Sequence, residues 1–130
     1  MKLLLDTCSI LWVVLDPERL SQVAVTELEK RDSEIVVSAI SCAEIACLVD
    51  RKKIRLDRHW KIWFRHYVRI NGWDVLPIDL QIIEEAYSLP PPFHSDPVDR
   101  ILVATTRLLQ CRLLTGDRKV LEYPHVDTLW

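Results

Sequence analysis

Apolar and polar residues along the chain fall into short runs whose period alternates between that of a buried strand and that of an amphipathic helix. KLLLD (2–6) and EIVVS (34–38) are brief apolar runs ended by a polar residue, as buried parallel strands are. WDVLPI (73–78) and CRLLT (111–115) read the same way, and VDTLW (126–130) as a last edge strand. Between these runs the spacing turns helical. SILWVVL (9–15) predicts a helix stopped near Asp16-Pro17, and SQVAVTELEK (21–30) one capped by Ser21. SCAEIACLVD (41–50) predicts a helix in which Ser41 and Glu44 fit an S-x-x-E capping box. Further helices are expected from Asp57 to Ile70, over DLQIIEEAYSL (79–89) up to the three prolines at 90–92, and from Asp96 to Gln110. GDRKV (116–120) predicts a turn into a short helix.

Strands alternating with helices imply an α/β fold of three layers, α/β/α, around a mostly parallel central sheet. A chain of 130 residues is expected to form one domain, 1–130. Two glycines cannot build a phosphate-cradling loop, which argues against P-loop and dinucleotide-binding chemistry. Cys8, Cys42, Cys47 and Cys111 form no CxxC pair, so reduced thiols in a cytoplasmic protein are expected rather than a zinc or disulfide framework. Asp6 interrupts the apolar N-terminus and argues against a signal peptide. No run approaches the roughly 20 apolar residues of a membrane span.

The net charge of −2 hides an asymmetry. Residues 51–69, RKKIRLDRHWKIWFRHYVR, carry eight Lys or Arg and one acid, so the rest of the chain is strongly anionic. Arg58, Lys61, Arg65 and Arg69 recur at helical spacing, opposite a stripe of Trp60, Trp63, Phe64 and Tyr67. The basic stripe reads either as a solvated face or as a surface for phosphates or an acidic partner segment. The aromatics read as core or dimer contacts rather than as a base-stacking platform.

The candidate chemistry lies in the acids. In HSDPVDRIL (94–102), Asp96 is an N-cap candidate, Pro97 suits the first helical position, and Asp99 falls in the first turn. Ligands of an open parallel sheet bind beyond the carboxyl ends of its strands. Asp6 ends the first strand, Asp117 lies just past CRLLT, and Glu44 is expected in the first turn of the helix after EIVVS. Singly, each acid has a plain role as strand end, cap or turn residue. Together they would repel one another and be costly to desolvate unless a cation neutralised them. Hard divalent ions such as Mg²⁺ or Mn²⁺ select such oxygen ligands. The histidines at 59, 66, 94 and 125 make no HxH or HExxH pattern, against a zinc hydrolase.

LLLDTCSILW, VVSAISCAEIACL, HSDPVDRILVATTR and LLTGDRKVLEY resemble, in order and spacing, the PIN-domain family, and within it the VapC-type toxin ribonucleases. The resemblance implies an endoribonuclease using one or two Mg²⁺ or Mn²⁺ ions, held by Asp6, Glu44, Asp99 and Asp117. Asp96 matches an extra acid of the DPxDR branch, a cap or an indirect support of the metal. Thr7 and Thr115 match hydroxyls near metal or phosphate, and Arg100 would contact phosphate or tie down Asp96. A VapB-type antitoxin, a homodimer and an RNA substrate are the implied partners. Many relatives of this branch have His where Cys8 stands, Trp where Ala43 stands and Lys where Leu48 stands. Two rivals remain at this point: an inactive PIN-like binding module, and a phosphotransfer protein of similar layering such as a receiver or phosphatase.

Overall fold

The computed structural model describes residues 1–130. Five strands form one sheet: β1 (Lys2–Leu5), β2 (Glu34–Ser38), β3 (Asp74–Leu76), β4 (Arg112–Leu114) and β5 (Thr128–Leu129). Their order is β3-β2-β1-β4-β5 and every pairing is parallel, so the sheet is wholly rather than mostly parallel. Seven helices connect them: α1 (Thr7–Leu15), α2 (Gln22–Glu29), α3 (Ala39–Asp50), α4 (Trp60–Asn71), α5 (Leu80–Ala86), α6 (Pro97–Leu109) and α7 (Arg118–Leu121).

Pleat alternation divides the strand side chains between two cores. Leu3, Leu5, Val37 and Leu114 face one side, packed with Ile10, Leu11, Ala24, Ile45, Trp63 and Phe64 from α1, α2, α3 and α4. Leu4, Val36 and Leu113 face the other, packed with Leu102 and Val103 of α6 and Val120 of α7. Three layers follow from the period of two along each strand. The order also removes the receiver form of the phosphotransfer rival. A receiver has strands in the order 2-1-3-4-5, whereas here β1 is the middle strand and the order reverses between β1 and β4.

Several boundaries differ from the sequence reading, and two helix starts bear on the site. Helix α3 starts at Ala39, and Ser38, the last residue of β2, is its cap, with Oγ accepting the Ile40 N–H at 3.1 Å. Ser41 is therefore no cap but a buried third residue of the helix, and the Ser41–Glu44 capping box does not form. Glu44 moves from the first turn to the second. Helix α4 begins at Trp60 behind a His59 cap, three residues later than expected. Residues 51–58 form the turn out of α3, where Lys52 takes a positive φ of 58° and the Lys53 N–H closes on the Leu48 carbonyl. Arg58 is thereby left outside the helical stripe. At its other end α4 stops on Gly72, at φ 68°, a left-handed position that favours glycine. No helix is long and apolar enough to cross a membrane.

Candidate active site

The carboxyl edge of the sheet, at the β1–β4 reversal, gathers the acids. Asp6 follows β1 and its N–H extends the pairing to the Leu114 carbonyl of β4 at 3.1 Å. Its side chain is only 8% exposed and caps α1, Oδ1 accepting the Ser9 N–H at 2.7 Å. Asp117 caps α7, Oδ1 accepting the Lys119 N–H at 2.9 Å. Asp96 caps α6, Oδ1 accepting the Val98 N–H at 2.9 Å. Asp99 sits in the first turn of α6, and Glu44 in α3 is half-buried. Three helix N-termini thus begin at acids of the site, where the positive dipole end favours negative charge. In each capping aspartate one oxygen is committed to a backbone N–H.

Small hydroxyls fill the gaps. The Thr7 hydroxyl donates to Ser41 Oγ at 3.0 Å, and Thr115 Oγ1 accepts the Asp117 N–H at 3.1 Å. All three side chains are buried. Gly116 lies between Thr115 and Asp117 beneath the Trp130 ring, where an added Cβ would meet the ring at 3.0 Å. That close approach sets the turn that presents Asp117.

The acids share one electrostatic field. Burial first, then the neighbouring carboxylates Asp96, Asp117, Glu44 and Asp6, push the Asp99 carboxyl up to about 7. Burial also raises Glu44, with Asp96 and Asp6 adding to the effect and the Thr7 hydroxyl holding it back. Asp6 is raised by burial, held back by the hydroxyls of Thr115 and Ser9. Cys8, at the rim, is pushed up to about 11 by partial desolvation and then by the acids, so its thiol stays protonated at neutral pH.

No Lys or Arg pairs with Asp6, Glu44, Asp99 or Asp117; among basic side chains only the His94 ring comes within 4 Å of one of them, with Nε2 3.2 Å from Asp99 Oδ2. No three His, Cys, Asp or Glu side chains close into a preassembled ligand shell. The acids share one field without forming a closed ligand group, and their carboxylate oxygens are the donor type that hard divalent cations select. Asp96 lies within the same field while serving as a cap. Asp96→Ala is expected to cost about 1 kcal/mol of folding stability and Asp96→Asn, which caps equally well, at most a few tenths; paired urea titrations measure both.

The basic residues go elsewhere. Arg100 donates to the Ala86 and Phe93 carbonyls, each at 3.0 Å, and stacks near Tyr87 and Phe93. It ties the end of α5 to the loop before α6 and makes no contact with Asp96. Arg58 pairs with Asp57 at 3.0 Å. Arg58, Lys61, Arg65 and Arg69 rim a groove of roughly 1030 Å³ whose other walls are α3, the apolar side chains of α4 and Val75 of β3. Trp63 and Phe64 are core, while Trp60 and Tyr67 pack against it only half-buried. Sequence reasoning missed Ser9 and His94 as neighbours of the acids, and gave Ser41 to a Glu44 capping box rather than to Thr7. Of the two missed residues only His94 left a signal, two residues ahead of Asp96 in HSDPVDR.

The PIN domain family model matches residues 3–126. The chain belongs to the PIN domain family. A curated PIN relative, ribonuclease VapC22 of Mycobacterium tuberculosis, is 33% identical over 98% of this chain and 97% of its own. Among solved structures, the PIN fold matches VapBC2 from Rickettsia felis bound to a promoter DNA fragment, with a TM-score of 0.68, 12% identity and coverage of 99% and 98% of the two chains. It also matches a toxin–antitoxin complex from Klebsiella pneumoniae, with a TM-score of 0.64, 22% identity and coverage of 98% and 95%.

Proposed function

We propose that this PIN domain is a metal-dependent endoribonuclease and the toxin of a type II toxin–antitoxin pair, restrained by a VapB-type antitoxin. The observation that carries this reading is the group of four acids, Asp6, Glu44, Asp99 and Asp117, at the β1–β4 reversal with no lysine or arginine to neutralise them. The relative named as a ribonuclease, matched along nearly its whole length, supports the choice of RNA, and the toxin–antitoxin neighbours support the choice of partner.

In this reading the four acids hold one or two Mg²⁺ or Mn²⁺ ions. Such a cation, when bound, activates water and offsets the charge that develops on a phosphoryl oxygen. The chain's own contribution is to keep the carboxylates fixed. The caps on Asp6 and Asp117 leave one oxygen of each unpaired by backbone, and Thr7 and Thr115 supply hydroxyls beside Glu44 and Asp6. Lys61, Arg65 and Arg69, exposed along α4, supply phosphate contacts that an anionic pocket cannot make. The exposed stripe of Leu80 and Ile83 on α5 with Tyr87 at its C-cap suits a second copy in a homodimer.

The test is incubation of the purified protein with end-labelled single-stranded RNA and Mn²⁺. Internal cuts are expected. RNA that stays intact with every divalent ion, while still binding, would leave a binding module in place of the enzyme. In a companion measurement, replacing Lys61, Arg65 and Arg69 by Gln is expected to flatten the salt dependence of RNA binding by about 2 in log–log slope. An unchanged slope would assign those side chains to solvent or to the antitoxin.

A further inference from the structure

His94 takes no part in the ligand set described above, yet its two ring nitrogens face Asp99 of that set and the Asp96 cap beside it. Its Nδ1 accepts the Asp96 N–H at 3.4 Å, which puts the proton of the neutral ring on Nε2. That Nε2 lies 3.2 Å from Asp99 Oδ2. The nitrogen is fully buried, and off-line from Asp99, so it has no well-formed hydrogen bond of its own. A buried donor facing a carboxylate, without a completed bond, is costly unless a small rotation of that carboxylate completes it.

The loop that carries the ring is held from three sides. Tyr123 donates its hydroxyl to the Pro90 carbonyl at 2.6 Å. Arg100 grips the Phe93 carbonyl, and the Phe93 ring packs on Tyr123 at 4.5 Å and on His94 at 4.4 Å between centroids. The imidazole is thus aimed by packing rather than free to swing. This also gives Arg100 a place in the site: its contacts set the loop, the loop sets His94, and His94 faces Asp99.

We propose that His94 is a positioning residue for the cation site, donating from Nε2 to Asp99 Oδ2 so that the other carboxylate oxygen is turned to the metal. The inference rests on the metal-site reading of Asp99. Supporting hydrogen bonds of this kind are worth about 10–100-fold in metal affinity.

Mn²⁺ affinity, read by calorimetry on the whole chain, tests it. His94→Leu removes the donor and is expected to weaken Mn²⁺ binding by about 10–100-fold, with RNA binding in EDTA unchanged. His94→Gln, whose amide nitrogen reaches the place of Nε2, is expected to stay within about threefold of the parent, below that range. A merely structural role would not distinguish Gln from Leu in cation affinity at equal melting temperature. If His94→Leu does not fold, His94→Gln and His94→Asn, which carries its amide one carbon short, serve as the pair, and Asn is then the one expected to lose affinity. Native Mn²⁺ affinity in His94→Leu overturns the positioning role and leaves the cation site standing. Absence of Mn²⁺ binding by the parent protein overturns the cation site itself, and the inference with it.

Discussion

Asp99→Asn is expected to lower RNA cleavage by about a thousandfold, the scale of removing one charge-stabilising group from a preorganised site, while making the metal-free protein more stable. The two effects have one cause. Burial and the surrounding acids raise the Asp99 carboxyl to about 7 from an ordinary 3.8. A folded-state pKa raised above the unfolded value means the folded protein holds its proton more tightly, so stability from this group is full below about pH 4 and is lost as pH rises toward 7. At neutral pH the ionised carboxylate works against folding, and the uncharged isostere relieves it by about 1–2 kcal/mol after screening. For a domain of this size that is roughly 3–8 °C in melting temperature. The gap between variant and parent should widen from pH 5 to pH 8 and close near pH 4. Melting curves in EDTA across that range decide the matter; a variant that melts lower than the parent at pH 8 would refute the account.

Divalent cation should reverse the same penalty. EDTA is expected to abolish cleavage, and Mn²⁺ to restore it and raise the melting temperature, with a gain near 2.7 kcal/mol when the ion is at about a hundred times its dissociation constant. Protons compete for the same oxygens. With Asp99 titrating near 7, and Glu44 and Asp6 raised in the same direction, the thermal shift should be small at pH 5.5 and large at pH 8. Binding near neutral pH should release protons, detected by calorimetry in buffers of different ionisation enthalpy. A shift equally large at both pH values would mean that the ion binds away from these acids.

The layering and the edge on which the acids gather were legible in the sequence because both depend on local period. KLLLD and EIVVS, too short for helices and wholly apolar between their ends, read as buried strands, and parallel order put Asp6 and Asp117 at one edge. What failed was decided by tertiary contact or by a choice between equal local signals. SAISCAE offers two serines to cap one helix; the strand runs directly into α3, so Ser38 takes the cap and Ser41 is buried against Thr7. Arg100 follows Asp99 in sequence, but successive helical residues diverge by about 100°, which sends Arg100 toward α5. His94 lies in an irregular loop, and the packing that aims it comes from Tyr123, Phe93 and Arg100. No spacing rule reports such contacts.

The aspartate caps have one more consequence. Because Asp6, Asp96 and Asp117 each bind the backbone N–H of the helix they start, the amides of Ser9, Val98 and Lys119 are wired to the carboxylates as built-in sensors. Whatever occupies the site will be heard first in the nuclear resonances of those three amides. Titrating cations, RNA fragments or antitoxin peptides against them would distinguish occupants without any need for turnover.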